Sequence, residues 1–155
     1  MFDESIMNDL IKTAMKSTVN NKHSAMLIKN DTIYKSEYNK FIKEITIRKN
    51  NNTYIHHLTV HAEIHACHYN KKNAKGMDII VIRIDKMGTK LKNSRPCNNC
   101  IRKLRKLGIR KVFYSNENGN IVSEYVNDME FLHICSSQNN LNKINSDKTQ
   151  FLLKK

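Results

Sequence analysis

Two short stretches of the sequence combine side chains that bind metal ions with a side chain that moves protons. The first is His61-Ala62-Glu63 and the second is Pro96-Cys97-Asn98-Asn99-Cys100. One imidazole and two thiolates supply three ligands for a zinc ion and leave a fourth coordination position for water. Zinc lowers the pKa of such a water toward about 7, and the carboxylate of Glu63 remains to carry its proton. This set of groups indicates hydrolytic deamination, in which water attacks an amidine-like carbon and ammonia leaves.

Each stretch is predicted to lie at the start of a helix. We predict one helix from Thr59, as its N-cap, to about Asn70, and a second helix that Pro96 opens and Gly108 ends. Between the two helices, Asp78–Asp85 is a near-continuous apolar run, typical of a strand that is covered on both faces. The helix dipole and the free amide groups of a helix start favour thiolates, so both positions suit a metal centre.

The remaining segments predict a mixed sheet with helices. Apolar residues at helical spacing predict an N-terminal helix over residues 3–18. The strand–helix–strand order from 78 to 115 requires a right-handed crossover and a parallel strand pair. Residues 39–58 are predicted to be irregular, and Met129–Ile134 to form a strand or a short helix. Four further segments are predicted as strands: Ser24–Lys29, Thr32–Tyr38, Arg110–Ser115 and Ile121–Val126.

The composition fits one intracellular domain. The chain has 155 residues, of which 39% are hydrophobic, enough for a core. No stretch approaches the roughly 20 apolar residues that span a membrane, and the N-terminus lacks the pattern of a secretory signal. We therefore predict an intracellular, cytoplasmic protein with no membrane partner. A single domain is expected over residues 1–136, followed by a poorly ordered polar tail over 137–155.

The net charge is +13, from 27 Lys and Arg against 14 Asp and Glu. It indicates either attraction to phosphate, free or polymeric, or a compositional bias spread along the chain. The densest cluster has seven basic residues between 95 and 111, which form either a solvated face or a track for phosphate. Arg95 is the exception, since it adjoins the second motif and could meet a substrate 5′-phosphate. With no Trp and 7% aromatic residues, the chain offers few stacking platforms, so nucleic acid is not the favoured partner.

Three other kinds of site share parts of these motifs. A metalloprotease is excluded, because such a site needs Glu directly after the first His, and Ala62 stands there. A Cys-x-x-Cys redox pair gives no reason for the His-Ala-Glu stretch. A purely structural zinc site would close with a fourth ligand, recruited from Cys67, Cys135, His57 or His65.

The His-Ala-Glu and Pro-Cys-Asn-Asn-Cys motifs, in this order and spacing, resemble the signature of the zinc-dependent cytidine/deoxycytidylate deaminase superfamily. The resemblance implies an α/β fold, a three-layer α/β/α sandwich around a mixed five-stranded sheet. It implies that His61, Cys97 and Cys100 bind one zinc ion per subunit, and that Glu63 transfers the proton. A homo-oligomer is also implied by the resemblance alone.

Positions outside the motifs bear on the substrate, and Asn39, Ala62 and Arg95 are the candidate substrate contacts. Asn39 resembles the lone Asn that ends the second strand in the deoxycytidylate and tRNA-adenosine branches. Phe41 stands where the free cytidine deaminases have a Glu, and Asn99 departs from the Glu-Pro-Cys-x-Met-Cys pattern of the tRNA adenosine deaminases. We therefore predict deamination of cytosine to uracil in a small nucleotide or nucleoside, deoxycytidylate-like. The alternatives are a deaminase that edits single-stranded RNA, DNA or tRNA, and a non-catalytic zinc-stabilised binding module.

Overall fold

The computed structural model describes residues 2–30, 32–49, 52–68 and 72–135. In these residues three helices accompany nine strands, two of which form a separate hairpin. In chain order the elements are α1 (Glu4–Met15), β1 (Lys22–Lys29), β2 (Thr32–Ile33), β3 (Glu37–Tyr38), β4 (Lys40–Lys49), β5 (Asn52–Val60), α2 (Ala62–His68), β6 (Asp78–Ile84), β7 (Leu91–Lys92), α3 (Asn98–Leu107), β8 (Lys111–Ser115) and β9 (Ile121–Tyr125).

The main sheet has the strand order β2-β1-β6-β8-β9. The pair β6–β8 is parallel, as the strand–helix–strand order requires, and β8–β9 is antiparallel. The predicted mixed sheet is therefore confirmed, and five of its strands form this continuous path. Two strands of two residues each add to it, since β3 pairs with β1 and β7 pairs with β6.

Helices cover both faces of this sheet and complete the predicted three layers. On one face, Leu10 and Ala14 of α1 pack with Ile80 and Ile82 of β6. On the other face, α2 and α3 pack against the alternate residues of β6. Because neighbouring side chains of a strand point to opposite faces, the apolar run of β6 serves two cores at once. The α1 helix is shorter than predicted, and Asp3 caps its N-terminus.

The two helices of the motifs start later than predicted. Thr59 lies within β5, and α2 begins only at Ala62, so the prediction of Thr59 as the N-cap is wrong. Pro96 does not open α3, because Cys97 is its N-cap and Asn98 its first residue. Gly108 ends α3 in the left-handed conformation at φ 73°, as predicted.

Residues 39–58 are not irregular, which corrects the prediction. They contribute most of β4 and β5, which pair as an antiparallel hairpin and form a two-stranded sheet of their own. Among the hairpin side chains whose burial the structure describes, Phe41, Ile42 and Ile55 are exposed, so they do not mark a covered face. Ile42, for example, is 57% exposed.

The segment after β9 is irregular, so the prediction of a strand or short helix at Met129–Ile134 is wrong. It is nevertheless anchored to the start of α3. The backbone N–H of Asn98 donates to the carbonyl oxygen of His133 at 2.9 Å, and the N–H of His133 donates to Oδ1 of Asn98 at 3.1 Å. The tail predicted over 137–155 lies outside the described residues. No helix within the described ranges is long and apolar enough to cross a membrane.

Candidate active site

The three predicted metal ligands meet at the starts of α2 and α3. His61 directly precedes α2, Cys97 is the N-cap of α3, and Cys100 lies in the first turn of that helix. Nδ1 of His61 lies 3.7 Å from Sγ of Cys97 and 3.3 Å from Sγ of Cys100. A tetrahedral zinc ion, with Zn–N near 2.0 Å and Zn–S near 2.3 Å, requires N···S separations of about 3.5 Å. The donor atoms, all within 4.8 Å of one another, therefore fit zinc.

The pKa values of the three side chains are linked by their mutual hydrogen bonds. A hydrogen bond from Cys100, aided by the contact with His61, lowers the pKa of Cys97 to about 3. A hydrogen bond to Cys97 raises the pKa of His61 to about 9, and the bond to Cys97, with burial, raises the pKa of Cys100. One negative charge is thus already present on Cys97, and a metal ion displaces the protons of the other two groups when it binds.

Glu63 is buried beside this cluster. It is the second residue of α2 and only 4% exposed. The charge of its carboxylate contributes to the raised pKa of both His61 and Cys100. A carboxylate next to the cluster can accept a proton from a water that a metal ion activates.

His61, Cys97 and Glu63 line a cavity of about 880 Å³, within the range of small-molecule sites. Elements far apart in the sequence form its walls. The hairpin contributes Ile55, His57 and Thr59, and the segment after β9 contributes residues 132–135. The start of β1, the end of β6 and the strand β7 complete the cavity.

The sequence matches the family model of the cytidine and deoxycytidylate deaminase zinc-binding region over residues 1–116. The chain belongs to this deaminase family. It is a zinc-dependent hydrolytic deaminase.

Two solved structures are similar to the deaminase. The dCMP deaminase from the cyanophage S-TIM5 in apo form is 22% identical, with a TM-score of 0.44, over 75% of this chain and 86% of that chain. The same enzyme in complex with dCMP and dUMP is 21% identical, with a TM-score of 0.46, over 76% and 85% of the two chains. No curated protein matches the sequence.

Two of the predicted substrate contacts of the deaminase, Asn39 and Ala62, line the cavity and are buried. Asn39 Oδ1 accepts from the backbone N–H of His23 at 2.8 Å, and its Nδ2 donates to the carbonyl oxygen of Asn21 at 2.7 Å. Asn39 therefore fixes the wall at the start of β1.

Arg95, the third predicted contact, also lines the cavity, but its guanidinium is bound to the protein. Nε and Nη2 donate to the two carboxylate oxygens of Glu124 at 3.1 and 3.2 Å. Nη1 donates to the carbonyl oxygen of Glu130 at 3.0 Å, and the hydroxyl of Tyr114 donates to Glu124 as well. These hydrogen bonds from Arg95 lower the pKa of Glu124. Arg95 thus ties the second motif to β9 and to the segment that follows.

Other arginines of the basic cluster from 95 to 111 also have partners within the protein. The guanidinium groups of Arg102 and Arg105 each lie 4.8 Å from the ring centre of Phe131. Arg110 forms an ion pair with Asp78 at 2.7 Å. The cluster therefore contributes to the fold itself, in addition to its exposed charge.

A closed structural zinc site does not form within the described residues. Their only group of three or more close metal-binding side chains is His61, Cys97 and Cys100. Nδ1 of His65 is 2.9 Å from the carbonyl oxygen of Tyr38. Burial raises the pKa of Cys67 to about 12. The three-ligand arrangement leaves a coordination position for water, as in catalytic zinc sites.

Two walls of the cavity carry no sequence motif. One is the irregular segment at residues 132–135. The other is a row formed by His23, Arg83 and Lys92 on three neighbouring strands. Their alignment depends on strand register between distant parts of the chain, which no local motif records.

Proposed function

We propose that this deaminase converts cytosine to uracil in a small nucleotide of the deoxycytidylate type. The observation that carries the proposal is the cluster of His61, Cys97 and Cys100 together with the buried carboxylate of Glu63, in the wall of a nucleotide-sized cavity. In such a reaction the bond from C4 of the base to its amino nitrogen breaks, and a C4 carbonyl forms from water. The products are the corresponding uracil nucleotide and ammonia.

In this proposal His61, Cys97 and Cys100 hold zinc, which when bound lowers the pKa of the attacking water. Glu63 accepts a proton from that water and returns it to the departing amino group, so one side chain serves as base and then as acid. Its burial shields the carboxylate from bulk water, which keeps the proton within the site. Water brings two protons, and Glu63 can pass one to N3 of the base and the other to the departing amino group, so that the C4 carbonyl, the N3–H and ammonia all form.

The three predicted substrate contacts, Ala62, Asn39 and Arg95, shape the wall of the cavity. Ala62 leaves room for the base next to Glu63. Asn39 holds the backbone around His23 through its two hydrogen bonds. We retain Arg95 as a proposed substrate contact in the cavity wall, where its guanidinium also binds the backbone carbonyl of Glu130.

A second candidate is a deaminase that edits single-stranded nucleic acid. It is favoured by the net charge of +13 and by Phe41, which is 41% exposed beside the ring of His57, a residue of the cavity. The ring centres of Phe41 and His57 are 5.7 Å apart. Exposed aromatic side chains near a basic site can stack on successive bases.

A substrate panel separates these functions. Zinc-loaded protein is incubated with cytidine, deoxycytidine, dCMP, dCTP, single-stranded DNA and RNA, and ammonia release is followed. We expect turnover of dCMP. Turnover of polymer alone would reject the small-nucleotide proposal in favour of the second candidate, and no turnover with retained zinc would favour a binding module. Light scattering of the same sample tests the homo-oligomer that the resemblance implies.

A further inference from the structure

Three basic side chains occupy adjacent positions on neighbouring strands of the main sheet, on the face that lines the cavity. His23 of β1 is paired with Arg83 of β6, and Arg83 is paired with Lys92 of β7. Directly paired residues on neighbouring antiparallel strands have Cβ atoms about 4.5–5.5 Å apart on the same face. The three side chains therefore form a continuous row, and all of them line the cavity.

Arg83 has hydrogen-bonding capacity that the protein does not use. Its Nη2 donates to Oδ1 of Asn21 at 2.8 Å. Its Nε is enclosed and has no hydrogen-bond partner among the described residues. Within those residues, Arg95 and Arg110 have carboxylate partners, whereas none is found for Arg83. A guanidinium left incompletely paired in a cavity is a typical receptor for an anion.

The row begins near the reacting groups and ends away from them. The helix α2, which carries Glu63, packs against β1, the strand of His23, and the charge of Glu63 acts on His23. The ring is oriented by a contact of 3.0 Å between its Nδ1 and the carbonyl oxygen of Asn21, and burial lowers the pKa of His23. The order from the reacting end outward is thus Glu63, His23, Arg83 and Lys92.

We propose that Arg83 and Lys92 bind the 5′-phosphate of the nucleotide substrate, with the sugar over His23 and the base at Glu63. The proposal rests on the proposed function and names the part of the cavity that selects a nucleotide over a nucleoside. Two cationic side chains match the dianion of a phosphomonoester. Glu117 also lines the cavity, but its carboxylate accepts a hydrogen bond from Nδ2 of Asn93 at 2.5 Å.

The test compares the binding of dUMP and deoxyuridine, the expected products with and without phosphate, by titration calorimetry of zinc-loaded protein. For Arg83→Gln we expect dUMP affinity to fall about 10- to 100-fold, the loss typical of charge-assisted hydrogen bonds. For the exposed Lys92→Gln we expect a loss of about 3- to 5-fold. Deoxyuridine affinity should stay within about twofold in both variants, because the pair contacts only phosphate. Lys86→Gln, the same charge change on an exposed turn, should alter neither affinity.

Several outcomes would overturn the assignment. Equal losses for dUMP and deoxyuridine would show that the row supports the base or the fold. An unchanged dUMP affinity, or a wild-type protein that binds dUMP no better than deoxyuridine, would reject the phosphate site. If Arg83→Gln fails to fold, Lys92→Gln and the charge-conserving Arg83→Lys decide the question by the same comparison.

The phosphate site and the proposed function can fail separately. If the wild-type protein deaminates no small nucleotide, but Arg83→Gln still weakens dUMP binding, the proposed function is refuted and the phosphate site is retained. If Arg83→Gln weakens the binding of a single-stranded oligonucleotide but leaves dUMP binding unchanged, the row binds phosphodiesters and the phosphomonoester proposal is wrong.

Discussion

Glu63 is the residue on which the proposed chemistry depends, since it is the buried carboxylate beside the metal-binding cluster. We expect Glu63→Gln to keep zinc and to lower kcat by about 10²- to 10⁴-fold, the usual contribution of a general acid–base. Glutamine has nearly the same shape as glutamate but cannot accept the proton. The measurements are ammonia release and zinc content per chain.

The same change at an exposed position controls for loss of charge. Glu4→Gln, at the first residue of α1, should retain both zinc and turnover. Near-normal activity in Glu63→Gln would contradict the assigned role. Loss of zinc in that variant would instead place Glu63 among the residues that hold the metal.

At the residue scale, the sequence predicted what depends on local spacing. The structure brings His61, Cys97 and Cys100 together as expected, because both motifs lie where a helix begins. The row of Arg83 and Lys92 could not be predicted in the same way. The row forms because β7 pairs antiparallel with the end of β6, which places Lys92 beside Arg83. Neither residue belongs to a motif, so only strand register brings them together.

At the scale of elements, α3 holds the irregular segment that closes one side of the cavity. Arg105 donates from Nε to the carbonyl oxygen of Val126 at 3.0 Å, and from Nη2 to those of Asn127 and Met129 at 3.1 and 2.5 Å. The segment has no regular hydrogen-bond ladder of its own. Its position against the cavity therefore depends on contacts of this kind.

We expect Arg105→Gln to loosen this segment and to weaken substrate binding. The loss of charge-assisted hydrogen bonds to backbone carbonyls should lower the free energy of unfolding by about 1–2 kcal/mol. The KM for the best substrate should rise more than kcat falls, because residues 132–135 form a wall of the cavity. Urea denaturation and steady-state kinetics measure the two effects, and amide exchange after residue 126 should become faster.

Lys106→Gln is the matched control, since it removes one positive charge from the next, exposed position of α3. It should leave unfolding, KM and amide exchange unchanged. If both variants behave alike, the effect belongs to the charge of the helix, and the anchoring role of Arg105 is wrong.

The hairpin shows why some elements could not be predicted. A strand is predicted from strict alternation of apolar and polar residues, and here the pairs Lys43-Glu44 and His56-His57 interrupt that alternation. Here Phe41, Ile42 and Ile55 are all substantially exposed, and the hairpin forms a sheet apart from the main one. By contrast, β6 is covered by helices on both faces and was predicted almost to the residue.

At the scale of the whole molecule, the metal cluster joins two parts of the chain. His61 follows the hairpin, whereas Cys97 and Cys100 begin the helix of the strand–helix–strand unit. A metal ion that binds the folded chain more tightly than the unfolded one stabilises the fold by mass action. Removal of zinc should therefore lower the stability of the domain as well as its activity.

We expect a chelator to lower the thermal midpoint of the zinc-loaded protein by at least about 5 °C, since 1 kcal/mol corresponds to about 2–4 °C for a chain of this size. Cys97→Ala should already melt at the lower temperature and should not respond to the chelator. Cys67→Ala is the control, a buried cysteine outside the cluster, which should lose some stability through packing but keep its response. Zinc that stays bound to Cys97→Ala, or a midpoint that does not change when zinc leaves the wild-type protein, would contradict this role of the cluster.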